Sequence, residues 1–265
     1  KMTNTLYIDN TMISCFNQCP QKFKWRHVEH LTSKGSESSA LTFGAAMHKA
    51  LETLYKGESL ETAILSFQKE MPEQEGEGAR SIVNGVKLIE AYHKKWFPEN
   101  FKVIKVEVSA NIELTKDIIF CGRLDTIIER DGEVYILEHK TTSNFKWFIP
   151  TPNHQVSGYL YILNEMGYKP EGCIVNLMLV SKTKNDFHRI ITQRDTEQLN
   201  DWRKIILTTK LNIDKCESTN WWPRYTHSCW NCGYVDLCNS DENALEYVKE
   251  SLYLKKQWKP WEVSE

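Results

Sequence analysis

The apolar positions of the chain first change their period, from helical to alternating, near residue 100, and that change divides the first third from the middle. From Thr11 to Glu29 the residues Met12, Cys15, Phe16, Cys19 and Phe23 recur at helical spacing, which predicts one helix. Leu31 to Ser39 is polar and Ser-rich and reads as a mobile connection. A second helix is expected over Leu41–Tyr55, stopped by Lys56-Gly57, and a third opens at Ser59. PEQEGEG, Pro72 to Gly78, breaks it before an amphipathic helix over Arg80–Trp96. The period then falls to two. Phe101–Leu114, Ile118–Glu129 and Val134–His139 are Val- and Ile-rich runs bounded by turn residues, and they predict strands. Helix returns at Asn153–Met166, strands at Cys173–Val180 and Phe187–Ile191, and a long helix at Thr196–Cys216 before an aromatic, cysteine-bearing tail.

This order implies a single α/β domain over residues 1–265, with a central sheet covered by helices. No run of 18 apolar residues occurs, which excludes a transmembrane helix. The N-terminus lacks a secretory layout, and Lys1 ahead of Met2 reads as a tag remnant, so a cytoplasmic location is expected. At 41% hydrophobic the 265 residues can build a sizeable core, and a formal charge of −2 argues against attachment to nucleic acid by bulk positive field alone. Bound divalent cations would offset acidic residues, so the charge does not exclude a nuclease. Lys22, Lys24 and Arg26 alternate with Phe23 and Trp25, which suits a nucleic-acid contact or a solvated helix face equally.

Candidate chemistry gathers at a turn. Asp131-Gly132 between two strand-like runs is a strong two-residue hairpin signal. Paired residues then carry numbers summing to 263, so Asp125 faces Glu138 and Arg123 faces Lys140. Opposed side chains share one face, and Lys140 joins Glu138 because residues two apart also do. Two carboxylates among buried-looking Leu124, Ile127, Ile128, Ile136 and Leu137 repel unless something binds between them. Mg²⁺ or Mn²⁺ is a suitable occupant, with the His139 carbonyl as a further ligand and Lys140 to polarise water or steady phosphate charge. An exposed ion-pair cluster is the bland alternative.

Gly122-Arg-Leu-Asp125 followed by Leu137-Glu-His-Lys140 resembles the core of the PD-(D/E)XK nuclease superfamily, and within it the RecB-type branch. The resemblance implies a restriction-endonuclease-like fold, Asp125 and Glu138 as metal ligands, and Lys140 as a catalytic residue. Phe43-Gly44-Ala-Ala-Met-His48 resembles that branch's G-x-x-x-H, which makes His48 a further ligand; Gln155-Val-Ser-Gly-Tyr159 resembles its Q-x-x-x-Y, which orients the site and touches DNA. Glu107 is a supporting acid on the first core strand, with Glu113 a competitor, and Gly44 and Arg123 are further supporting residues.

Cys229, Cys232 and Cys238 form a compact metal-like triplet whose fourth ligand could be Cys19, Cys15, Cys216 or His227. Cys121 and Cys173 fall in strands and read as core. In the iron–sulfur members of the same branch one cysteine precedes the nuclease core and three follow it. That resemblance, to CRISPR-associated iron–sulfur exonucleases and the AddB nuclease domain, implies a 4Fe–4S cluster on Cys19, Cys229, Cys232 and Cys238, with structural Zn²⁺ as the rival. A cluster lobe from about 10–30 and 216–245 would then join the chain ends around a nuclease core at about 40–195. Trp221-Trp222-Pro223 either stacks bases or packs on that lobe.

The expected activity is metal-dependent hydrolysis of DNA, by an exonuclease acting on single strands or ends in recombination, repair, phage DNA processing or CRISPR adaptation. A DNA-binding or assembly subunit without catalysis is the alternative, and a zinc-dependent binding module a third. The absence of a Walker A pattern leaves any helicase to a partner, alongside a single-strand annealing protein, a CRISPR integrase or further copies of the chain.

Overall fold

A computed structural model describes residues 5–35, 38–72 and 78–262. Lys1, residues 36–37 of the Ser-rich connection and residues 73–77 of the PEQEGEG break lie outside the described residues. The elements begin with β1 (Leu6–Ile8), α1 (Asn10–Gln18), α2 (Pro20–Phe23), β2 (Leu31–Ser33), α3 (Ser39–Tyr55), α4 (Leu60–Glu70) and α5 (Ile82–Trp96). The middle holds β3 (Lys102–Thr115), β4 (Ile118–Arg130), β5 (Glu133–Thr142), α6 (His154–Glu165), β6 (Gly172–Leu179) and β7 (Phe187–Thr192). The chain ends with α7 (Thr196–Thr219), α8 (Val235–Asn239), α9 (Leu245–Leu252) and β8 (Tyr253–Lys255). None of the described helices is long and apolar enough to cross a membrane.

Two compact units separate, one from residues 37–110 and 123–199, the other from residues 1–36, 111–122 and 200–265. In the larger unit β3 pairs β4, β4 pairs β5 antiparallel, β5 pairs β6 parallel and β6 pairs β7 antiparallel, a mixed sheet. The hairpin turn has Asp131 at φ 56° and Gly132 at φ 85°, the two positive values that a type I′ turn needs. It sets the expected register from Arg130↔Glu133 to Thr126↔Leu137. Parallel β5 and β6 need a crossover, which α6 supplies. Its start is capped by Asn153, whose Oδ1 accepts the Val156 N–H at 3.1 Å.

One core holds this unit together. Phe43, Met47 and Leu51 of α3, Phe67 of α4 and Leu88 and Tyr92 of α5 close over Ile128, Leu137, Ile174 and Met178 of the sheet. Full burial of such a side chain contributes about 1.5–3 kcal/mol. α4 and α5 meet at Gly85, where a Cβ would collide with the Phe67 ring.

In the smaller unit β1 pairs parallel with the start of β4, from Leu6↔Ile118 to Ile8↔Phe120. Trp202 of α7 packs edge-on against Phe120 at 4.9 Å. The single helix expected over Thr11–Glu29 is broken at Cys19, which is extended (φ −167°, ψ 114°) between α1 and α2. Pro20 is the cause, because its ring disfavours helical backbone in the residue before it. A π-helical turn over Lys24–Val28 follows. The Ser-rich connection is likewise not wholly loose, since its first three residues form β2, paired antiparallel with β8 from Leu31↔Lys255 to Ser33↔Tyr253. Trp25, Leu31, Tyr234, Leu237 and Tyr253 form a second core beneath that ribbon.

Candidate metal centre

The centre lies within the larger unit and is assembled from α3, β3, β4 and β5. Past Thr126↔Leu137 the paired register of β4 and β5 ends, and Asp125 does not meet Glu138 as a ladder partner. Its Oδ2 instead accepts the His139 backbone N–H at 2.7 Å. Asp125 Oδ1 lies 3.2 Å from Nδ1 of His48. Glu138 and Lys140 share a face of β5, with Nζ 2.7 Å from Oε1. The other carboxylate oxygen of Glu138, Oε2, is buried without a protein partner, and a buried acceptor left in that state is costly unless a cation or water meets it.

Arg123, like Asp125, lies past the last paired residue of β4 and β5. Its Nε lies 3.0 Å from Oε2 of Glu107, which draws it to β3. Glu107 itself stands closer to the centre than its pattern suggested. His48, Glu107 and Asp125 each offer a ligand atom, and the three atoms lie within 4.8 Å of one another. Glu107 has φ 51° in mid-strand, a costly backbone for a non-glycine residue and one that collects at functional sites. A competing acid on the same strand, Glu113, is absent from that group.

Gly44 explains how α3 reaches the sheet. A Cβ there would lie 3.4 Å from Thr141 Oγ1, next in chain to Lys140. One helical turn on, His48 is carried to Asp125. Gln155 and Tyr159 are neighbours on α6, Nε2 of the first donating to the hydroxyl of the second at 2.9 Å.

The charges are tightly coupled. Burial and then Asp125 push the Glu138 carboxyl up to about 7. Burial and Asp125 likewise push Glu107 up to about 7. Burial would also raise Asp125, but His48, His139 and Lys140 together outweigh it and hold Asp125 below the usual carboxylate range. Burial lowers His48, but Asp125 and Glu138 together raise it more, so the net direction is up. For Lys140, burial is outweighed by Glu138 and Asp125, which keep the amine protonated. Two acids near neutrality beside an ionised one are a high-charge pocket suited to a hard divalent ion.

His139 turns to the opposite face of β5, where burial drives its imidazole down to about 3. It stacks on Tyr55 at 5.3 Å, and its Nδ1 lies 3.0 Å from Nδ2 of Asn176. Asn176 also donates to Tyr92 at 2.9 Å, and Arg189 joins Tyr92, Tyr55 and Glu99. Sequence reasoning missed this network. Its members are scattered over five elements and loops with no shared period.

In the smaller unit, Cys19 Sγ accepts the Tyr225 N–H at 3.5 Å, and Cys229 Sγ lies 4.0 Å from the Tyr225 carbonyl. Cys19 and Cys232 both act electrostatically on Cys238, whose thiol is raised chiefly by burial. Cys15 also feels Cys19 and Cys232 and is driven up to about 11 by burial. Among the described residues no three cysteine sulfurs lie within 4.8 Å of one another. Cys216 is buried in α7, His227 stacks on Tyr225, and Cys121 and Cys173 are core residues. Trp222 is buried and stacked on Phe23, whereas Trp221 is exposed. Of the basic stretch, Phe23 and Trp25 are core, Lys22 bonds Gln18, Lys24 pairs with Glu29, and Arg26 lies over Trp258.

The model of the PD-(D/E)XK nuclease superfamily matches residues 10–239. Among curated proteins, none matches the chain. Among solved structures, the chain is similar to a "putative exonuclease" from Eubacterium rectale, at 12% identity and a TM-score of 0.57 over 92% of each chain. At that identity the likeness establishes the fold, a mixed α/β sheet flanked by helices. The crystal structure of SSO0001 aligns over 73% of this chain and 83% of its own at 17% identity, with a TM-score of 0.35, too low to carry a structural argument.

Proposed function

Because the chain belongs to the PD-(D/E)XK nuclease superfamily, we propose that it is a divalent-metal-dependent deoxyribonuclease acting on DNA ends or single strands. The observation that carries this is the convergence of His48, Glu107 and Asp125 within 4.8 Å, beside the unpartnered Oε2 of Glu138. That donor set, one imidazole and three carboxylates, suits Mn²⁺ or Mg²⁺, and the bound ion would supply Lewis-acid activation of water and of the phosphate.

The chain's own residues do the rest. Asp125 is held ionised by His48 and oriented by the His139 N–H, so its carboxylate is preset for ligation. Lys140, protonated and paired with Glu138, carries the positive charge that would steady a phosphate oxygen as negative charge builds on it. Gln155 and Tyr159 offer an amide and a hydroxyl for contacts with the strand. Lys140→Ala should lower turnover by about 100- to 1,000-fold, the usual loss for one such donor. The assay is digestion of end-labelled linear DNA with Mn²⁺, and equal activity in both proteins would defeat the assignment. Closed circular DNA is expected to resist cutting, and its cleavage would replace exonuclease with endonuclease action.

The four cysteines Cys19, Cys229, Cys232 and Cys238 are read as the ligands of a 4Fe–4S cluster with a structural role. Support comes from the Tyr225 N–H directed at Cys19 Sγ, a hydrogen bond of the kind that tunes cluster thiolates. Structural Zn²⁺ on the same four thiolates is the rival. Anaerobic purification should give a brown protein containing iron and sulfide, whereas a colourless protein carrying zinc would leave the rival standing.

A further inference from the structure

We propose that Trp147, held out from the protein on a braced loop, is a base-stacking contact for the DNA strand entering the metal centre, an inference that rests on the nuclease reading above.

Residues 143–153 connect β5, which carries Glu138 and Lys140, to α6, which carries Gln155 and Tyr159. Nearly every turn of this connection is tied down. Thr142 Oγ1 donates to the Asn144 carbonyl at 2.8 Å, and Asn144 Oδ1 accepts the Lys146 N–H at 3.0 Å. The Trp147 N–H returns to the Asn144 carbonyl at 3.1 Å, closing a 3-10 turn over Phe145–Trp147. Asn153 Nδ2 donates to the Ile149 carbonyl at 3.1 Å, and Arg194 holds the Pro150 carbonyl and the Thr151 hydroxyl. Phe145 lies flat on His188 at 4.3 Å.

Against that bracing, Trp147 is 72% exposed and Ile149 61% exposed. A loose loop could fold an indole back onto apolar surface and gain the burial energy; this one is fixed with its indole in water. Two exposed side chains fall far short of the roughly 800 Å² per partner that a stable protein interface buries. One indole face matches one nucleobase, and the exposed Lys146 beside it suits a backbone phosphate. Trp147 follows Lys140 by seven residues, so at about 3.5 Å per residue it lies within about 25 Å of it. At about 3.4 Å per nucleotide along a B-form strand, the stacked base falls within roughly seven positions of the scissile phosphate.

The test is binding of a fluorescently labelled single-stranded oligonucleotide, read by anisotropy with Ca²⁺ in place of Mn²⁺. Trp147→Ala should weaken binding by about 5- to 150-fold, the equivalent of about 1–3 kcal/mol per stacked base, and Trp147→Phe should retain most of the affinity. An abasic nucleotide walked through the first eight or so positions should weaken wild-type binding sharply at one of them and leave Trp147→Ala indifferent there. Wild-type affinity in Trp147→Ala, or sensitivity to abasic sites that is the same in both proteins at every position, overturns the proposal. The nuclease reading stands or falls separately, on whether the wild-type protein cuts the same oligonucleotide with Mn²⁺.

Discussion

Asp125 and His139 are joined by a carboxylate rather than by the ladder: Oδ2 accepts the His139 N–H at 2.7 Å, where paired register with β5 has just ended. One oxygen of Asp125 therefore replaces a strand carbonyl, while the other lies 3.2 Å from Nδ1 of His48. Fold and candidate chemistry meet in a single side chain, and substitution can separate them. In Asp125→Asn the amide oxygen can keep the His139 N–H and the NH₂ can donate to a neutral His48, so the metal-free melting temperature should stay near wild type. Asp125→Ala strands the N–H in a buried site and should cost about 1–3 kcal/mol. Both should lose Mn²⁺ affinity by more than the 10- to 100-fold typical of removing an outer-shell partner. Calorimetric titration with Mn²⁺ and thermal melting in EDTA check the pair; tight Mn²⁺ binding by Asp125→Asn would remove Asp125 from the ligand set.

Glu107 gives a test whose sign depends on metal. Its carboxyl is pushed up to about 7 from an ordinary 4.5 by burial and then by Asp125. An acid whose folded pKa lies above its unfolded value contributes stability that is full below 4.5 and is lost as pH rises through about 7. Glu107→Gln stays neutral throughout and so removes that pH-dependent loss. In EDTA above pH 7 the variant should melt higher than wild type, and below pH 4.5 the advantage should vanish. With Mn²⁺ the order should reverse, since wild type gains a ligand's binding energy that the variant lacks. A variant that melts lower than wild type in EDTA above pH 7 would make Glu107 a structural anchor for Arg123.

What the sequence reveals and what it hides follow from how local each signal is. The hairpin register is legible because Asp131-Gly132 admits the two positive φ values of its turn, and the numbers propagate five pairs outward. They stop at Asp125, because the side chain takes the hydrogen bond that a ladder would use, and no pattern rule anticipates that competition. Gly44 and His48 are visible as a spacing, but the reason for the glycine, close approach to Thr141, needs the packed helix. Glu107 is hidden since its reach depends on a φ of 51° within a strand. The break at Cys19 was readable from Pro20, yet the helical spacing of Cys15, Phe16 and Phe23 on both sides masked it.

That break matters for the cysteine lobe. Cys19 and Cys229 stand 210 positions apart in sequence, and a shared metal group would close that loop, worth on the order of 5 kcal/mol by the chain-entropy account for cross-links. Cys19→Ser and Cys238→Ser should each lose the chromophore and melt substantially lower. Cys216→Ser, on α7, should keep the chromophore. Metal content and melting of the three proteins side by side decide it, and a chromophore that survives Cys19→Ser but not Cys216→Ser would exchange their roles.

The Arg189–Glu99 pair on the far face of β5 makes a claim about stability rather than chemistry. The guanidinium bonds Glu99 Oε2 at 2.9 Å, Tyr92 at 3.2 Å and Tyr55 at 3.3 Å, and lies 3.8 Å from the centre of the Trp96 ring. With side chains only 14% and 8% exposed, this is a buried pair, and removing one partner leaves the other charged in a poorly solvated site. Arg189→Met should therefore destabilise by about 3–5 kcal/mol, which for a chain of this size corresponds to a fall of roughly 6–20 °C in melting temperature. Lysine should not rescue it, since it lacks the planar fork that reaches two oxygens and the flat face that covers Trp96. The double variant Arg189→Met with Glu99→Met should be more stable than Arg189→Met alone, because no uncompensated charge remains to be buried. Thermal melting of the wild type, both single variants and the double variant completes the cycle. Additive losses in the double variant would mean that Arg189 and Glu99 act independently, and that the cost of Arg189→Met comes from its stacking on Trp96 instead.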